Sequence, residues 1–115
     1  MRERAKRFAV AVCRFVNAIP QDDVAKIFTR QLIRSGTSVG ANQRSATLAK
    51  SDADLLNKLT TVEEEADESA FWLELLVELE YCRQEDCAQL TAEAYELRNI
   101  ATAGVKTLRK KLGIA

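Results

Sequence analysis

An all-α fold, an antiparallel up-down-up-down four-helix bundle, is what this sequence predicts, and three observations carry it. Glycine and proline number only 4 and 1 in 115 residues rich in Ala, Leu, Glu, Lys and Arg, a composition that favours long helices over strands. Four successive segments repeat apolar residues at helical spacing. The breaks between them are short, so consecutive helices fold back on one another. The length fits one domain, residues 1–115, around a single core.

The first helix is expected from Arg2 to Ala18, with Phe8, Val12, Phe15 and Ile19 on one face. Ala9, Val10, Cys13 and Val16 widen that face, and Pro20 ends the helix. Asp22 and Asp23 open the second helix with acid where the macrodipole favours it. Its inner stripe reads Val24, Phe28, Leu32, Ser35, Val39, Asn42 and Ala46. Ser35, Gly36, Ser38, Gly40 and Ala41 make its middle unusually small. Each interior glycine costs about 1 kcal/mol relative to alanine, so a close neighbouring helix is the expected offset.

Ser51 and Asp54 form an S-x-x-D start for the third helix, which is expected to reach Cys82. Leu55, Leu59, Val62, Ala66, Ser69, Leu73 and Leu76 form its stripe, with Trp72, Leu75 and Leu79 flanking it. Gln84 to Asp86 read as a polar turn. The fourth helix then carries Leu90, Ala94, Leu97, Ala101, Gly104, Leu108 and Leu112, and Gly113 is its C-terminal cap.

Composition also excludes functions. Histidine is absent, which removes the commonest general base, metal ligand and nucleophile partner. No enzyme, cofactor or metal is therefore expected. No apolar run reaches eighteen residues, so no membrane span is expected. Arg14 interrupts the apolar run after the basic start, and no small-residue cleavage pattern follows, which argues against a secretory signal. Cys13, Cys82 and Cys87 are an odd set without zinc-type spacing, and reduced thiols in a cytoplasm are the simpler reading.

An antiparallel turn near Ala49 brings residues level when their numbers sum to about 98 or 99. Arg34 is then level with Glu65, and Arg30 with Glu68. Glu63, Glu64, Glu65, Asp67 and Glu68 crowd one helix, and like charges at i,i+4 repel by a few tenths of a kcal/mol per pair. Arg30, Arg34, Asn42, Glu65 and Glu68 are thus candidates for a structural polar network. A solvated acidic face with weak surface pairs is the competing reading. Asn42, on an apolar stripe, either fixes register or hydrogen-bonds locally.

Residues 31 to 42, Gln31-Leu32-Ile33-Arg34-Ser35-Gly36-Thr37-Ser38-Val39-Gly40-Ala41-Asn42, carry a recognisable pattern. Ile19-Pro20 precedes it, and Ser51, Asp54-Leu55, Lys58-Leu59, Glu65-Ala66, Glu68 and Phe71-Trp72-Leu73 follow. In order and spacing these residues resemble the four-helix-bundle family encoded by intervening sequences in 23S ribosomal RNA genes. The resemblance implies a homopentamer with a central channel. It also implies kinship with the accessory proteins of diversity-generating retroelements, similar pentamers that bind nucleic acid and reverse transcriptase. Ser45 replaces a usually acidic residue of that family, and Glu64 an often basic one.

Net charge is zero but uneven: residues 1–50 hold ten Lys/Arg against three Asp/Glu, and residues 51–100 three against fourteen. The expected topology gathers Arg2, Arg4, Lys6, Arg7, Arg44, Lys50, Lys106, Arg109, Lys110 and Lys111 at one end. Cations at the end of a helix suit the macrodipole; the cluster Arg2, Arg4, Lys6 and Arg7 sits at a positive helix start and does not. That mismatch points to a polyanion site, since Lys and Arg contacts to phosphate dominate nucleic-acid affinity. A solubilising tail is the plainer alternative.

Val10, Cys13 and Val16, with Phe71, Trp72, Leu75 and Leu79, exceed what one core needs, so they are the expected contacts between copies. Two function classes stay open. One is a homo-oligomeric accessory protein that binds RNA or DNA at its basic end. The other is a structural module that docks another protein and no nucleic acid.

Overall fold

The computed structural model describes residues 1–114, which form four helices and, among the described residues, no strand. They are α1 (Arg2–Asn17), α2 (Asp23–Ala46), α3 (Asp52–Glu78) and α4 (Gln84–Lys111). Each helix packs on its sequence neighbours and α1 also meets α4, so the four close an antiparallel ring 47 Å long. No described helix is long and apolar enough to cross a membrane.

Local chemistry fixes the helix ends. Asp22 caps α2 by accepting from the Ala25 N–H at 2.8 Å, and Ser51 caps α3 by accepting from Asp54 at 3.0 Å. α3 stops at Glu78, four residues before the expected Cys82. The cause is Glu80, whose φ of 65° puts it in the left-handed region. There the Glu80 N–H donates to the Val77 carbonyl and the Tyr81 N–H to the Leu76 carbonyl, the paired bonds of a Schellman ending. α4 ends the same way, with Gly113 donating to Lys110 and Ile114 to Arg109, and there glycine supplies the positive φ. Gln84 to Asp86 are not a turn but the first turn of α4, because the Asp86 carboxylate accepts from the Arg83 N–H at 3.1 Å.

The core follows the expected stripes of α1, α3 and α4 with small shifts: Phe8 and Val12, Val62 to Leu76, and Ala94 to Leu108 are buried. In α2 the stripe is rotated. Ala25, Thr29, Leu32, Gly36, Val39, Gln43 and Ala46 face inward, while Val24 is 47% exposed and Asn42 half-buried. Both sets keep a three-four rhythm and share Leu32, Val39 and Ala46, Ser35 of the expected stripe is buried as well, and the set with smaller side chains faces in because it lets α1 approach. A Cβ on Gly36 would lie 2.9 Å from a Val12 methyl, and one on Gly40 would lie 3.4 Å from the Ala5 carbonyl and the Ala9 methyl. One residue from Gly36, the buried Ser35 and Ser69 hydroxyls hydrogen-bond at 2.8 Å and join α2 to α3. A buried pair of this kind contributes about 1 kcal/mol.

The two glycines should respond oppositely to alanine. Gly36→Ala forces Val12 aside, an overpacking cost of about 1–3 kcal/mol against a helix-propensity gain of about 1. Gly40→Ala makes ordinary contacts and keeps the gain. Urea unfolding at fixed protein concentration should show a net loss of about 1 kcal/mol for Gly36→Ala and a gain of about 0.5–1 for Gly40→Ala. Glu80→Gly, which relieves a left-handed residue, should raise stability by about 0.5–1 kcal/mol in the same assay.

Candidate functional site

The ten candidate cations do not form one cluster. Arg2, Lys6 and Arg44 line a groove between the start of α1 and the end of α2, floored by Ala9, Gly40 and Ala41. Glu3 is the single acid there. Arg2, Lys6 and Arg44 make no ion pair among the described residues. Arg4 turns the other way: its guanidinium pairs with Glu93 at 2.6 Å and Glu96 at 2.9 Å on α4. These carboxylates raise its pKa further above the ordinary arginine value, Glu93 most.

Lys106, Arg109, Lys110 and Lys111 belong to the far part of α4, where Lys111 pairs with Asp52 at 2.9 Å. Glu96 and Lys111 stand about 22 Å apart along α4 at 1.5 Å per residue, so the expected single basic end resolves into two groups. The reason is the placement of α1. Phe8, Ala11 and Phe15 share a groove with Asp86, Gln89 and Leu90, so this 16-residue helix lies along the first half of α4. Lys50 is exposed beside Lys58, a neighbour the sequence reading did not single out.

The acidic run of α3 divides between its neighbours. Arg34 of α2 bridges Glu65, at 2.8 Å, and Glu68, and the Trp72 indole N–H donates to Glu68 at 3.2 Å. Glu68 is the main cause of the raised Arg34 pKa. Toward α4, Asp67 accepts from Arg98 at 2.8 Å, Glu63 from the Thr102 hydroxyl, and Glu74 from the Tyr95 hydroxyl at 2.8 Å. Arg98 also lies 4.6 Å over the Tyr95 ring, a cation–π contact. Arg30 is exposed and stays outside this network, one turn from Arg34. Asn42 also stays outside: its amide donates to the Ser38 carbonyl at 2.9 Å and hydroxyl at 3.0 Å within its own helix. The inward amide is its neighbour Gln43, whose Oε1 has no hydrogen-bond partner among the described residues. No group of three metal-ligating side chains occurs among the described residues.

The expected contact residues separate by burial. Val16 belongs to the core and is corrected from the contact set: it lies one turn from Val12, on the same buried face. Cys13 and Leu75 are half-buried, and Trp72 is half-buried against Phe28, with ring centroids 5.8 Å apart. Val10, Phe71 and Leu79 remain exposed, Phe71 by 52%. Ile27, at 59%, is an exposed apolar residue that the choice of stripe in α2 concealed. Phe71, Glu74, Leu75 and Glu78 of α3 and Ala88, Ala92 and Tyr95 of α4 line a second groove, and Cys87 lies at its base. Cys82, beside Cys87, has its thiol pKa pushed up to about 11 by burial first and by its neighbours second. Such a thiol is a poor nucleophile at neutral pH.

The Arg4 clasp is acid-sensitive. The guanidinium holds the Glu93 carboxyl below its ordinary value of 4.5, outweighing the upward push of burial. A depressed carboxylate contributes stability above its unfolded pKa and loses it as pH falls through the folded value. Below 4.5 the wild type should therefore lose stability more steeply than Glu93→Gln in urea unfolding across a pH series, and the two slopes should agree near neutrality.

The 23S rRNA-intervening sequence protein family model matches residues 1–103. No protein of curated function matches the sequence. A crystal structure from Bacteroides thetaiotaomicron, described as a protein with unknown function from the S23 ribosomal protein family, is similar with a TM-score of 0.80 and 34% identity. The alignment covers 91% of this chain and 97% of that one. With the family's pattern running through α1 to α4 and a relative of this identity sharing the whole bundle, the chain belongs to the 23S rRNA-intervening sequence protein family.

Proposed function

We propose that this chain is a non-catalytic bundle that assembles with copies of itself and binds nucleic acid through the groove between α1 and the end of α2. One observation carries the nucleic-acid reading: Arg2, Lys6 and Arg44 line that groove around a floor of small residues. Their charges are not spent on internal ion pairs among the described residues. The α1 macrodipole adds positive potential to the same place, so an anion gains from both. Of the α3 acids that would oppose it, Glu65 and Glu68 are engaged by Arg34 and Asp67 by Arg98.

Exposed Phe71, Leu79 and Ile27 support self-assembly, since they add apolar surface that a second copy would cover. The expected number of copies, five, comes from the family resemblance. Three free thiols suit a reducing cytoplasm. A protein-interaction module that binds no nucleic acid is the second reading, and the apolar groove between α3 and α4 favours it.

Fluorescence anisotropy with an oligonucleotide over a salt series tests the proposal. Affinity should fall steeply with salt, by a slope of roughly 0.7–0.9 per phosphate contacted. Changing Arg2, Lys6 and Arg44 together to glutamine should flatten that slope by about 2–3. No binding at low salt overturns the nucleic-acid reading in favour of the second. A light-scattering mass of one chain, 12.8 kDa, at micromolar concentration overturns self-assembly.

A further inference from the structure

The groove between α3 and α4 has the character of a receptor for a basic helix. Above the buried Cys87 at its base, the exposed Ala88 and Ala92, four residues apart on one face of α4, let another helix approach closely. Phe71 and Leu75 form an apolar wall, and Glu74 and Glu78 stand on the same side. Both glutamates are exposed and in no ion pair among the described residues, and Glu74 accepts only the Tyr95 hydroxyl.

The complementary surface lies on this same chain. Arg7, Val10 and Arg14, spaced three and four apart, share a face of α1 with Lys6 and Glu3, and Arg7 and Arg14 also border Asp86 and Glu93 of α4. Val10 is 41% exposed, and Arg7 and Arg14 make no ion pair among the described residues. Charge sign and apolar content both match: three cations against one acid around a bare valine, two carboxylates beside a bare phenylalanine. The two surfaces cannot meet within one chain, because α1 packs on α2 and α4 and not on α3.

We infer that the α3–α4 groove of one copy receives the outer face of α1 from the next, with Arg7 and Arg14 set against Glu74 and Glu78. The inference rests on the self-assembly reading and adds its geometry. A groove facing a groove would set carboxylates against carboxylates, and α1 facing α1 would set arginines against arginines. The contact therefore joins unlike surfaces, the groove of one copy and α1 of another. Repeated head-to-tail, such a contact leaves one free groove and one free helix until a ring closes.

A charge swap tests it. One variant carries Arg7→Glu and Arg14→Glu, the other Glu74→Lys and Glu78→Lys; all four positions are exposed, and circular dichroism confirms that each variant folds. Each variant alone should give the mass of a single chain by light scattering at micromolar concentration. A single chain carrying all four changes should recover the wild-type mass, because every groove then finds an α1 of opposite charge whatever the number of copies. Variants that assemble singly like the wild type overturn this contact and leave self-assembly standing. A four-change chain that folds but stays monomeric overturns the pairing of Arg7 and Arg14 with Glu74 and Glu78. A monomeric wild type overturns the self-assembly reading itself.

Discussion

The approach of α1 to α2 at Gly36 and Gly40 governs the arrangement of the bundle. A Val12 methyl lies 2.9 Å from where a Gly36 Cβ would be, so the helices are spaced by the absence of that atom. Four residues on, the Ala5 carbonyl and Ala9 methyl lie 3.4 Å from where a Gly40 Cβ would be, which leaves room for a methyl. Gly36 thus sets the depth of α1 against α2. Its cost in helix propensity, about 1 kcal/mol, is offset by the contacts this depth allows. Ser35, one residue before Gly36, turns toward α3 and bonds Ser69, so neighbouring positions of α2 join both adjoining helices.

The placement of α1 in turn decides the electrostatics. Because α1 lies along the first half of α4, Arg4 reaches Glu93 and Glu96 and not the C-terminal cations. The basic start of α1 therefore divides by direction: Arg4 into the α4 clasp, Arg2 and Lys6 toward the end of α2, Arg7 and Arg14 along the exposed edge beside α4. On α3, a run of acids that would repel along its own helix is relieved by cations and hydroxyls on both neighbours. Each exposed pair contributes little, about 0–1 kcal/mol, so the run serves alignment between helices more than gross stability. Glu78 and Glu74, past the reach of Arg34 and Arg98, are left for the groove beside α4.

The features legible in the sequence were those written in periodicity and capping chemistry. Four helices, the Asp22 and Ser51 starts and the Gly113 ending all have side-chain signals, and the level of Arg34 with Glu65 follows from turn position. What the sequence concealed has physical reasons. A three-four rhythm in α2 admits two faces one residue apart, and hydrophobicity alone favours the one with Val24 and Phe28. Steric depth favours the one with Ala25, Thr29 and Gly36, and depth depends on a partner helix. The end of α3 was hidden because Glu80 adopts a conformation that usually advertises itself through glycine or asparagine. The split of the basic residues was hidden because it depends on where α1 rests along α4, which no local pattern encodes. The register also drifts: Arg34 reaches both Glu65 and Glu68, and Ser35 meets Ser69, so a fixed sum of residue numbers misplaces Arg30.

A short helix with three differently used flanks carries a constraint of its own. Val12 and Phe8 bury one side of α1, and the depth set at Gly36 leaves the other sides facing outward. Were Gly36 larger, α1 would ride out from α2, loosening the Arg4 clasp and parting Arg2 and Lys6 from Arg44. The polar groove, the clasp and the outward arginines are thus not independent features that happen to share a helix. They hold their relative positions because the Val12 side chain is pressed against the α2 backbone at Gly36. Gly36 in the middle of α2 therefore governs where these charged side chains stand, although it carries no charge itself.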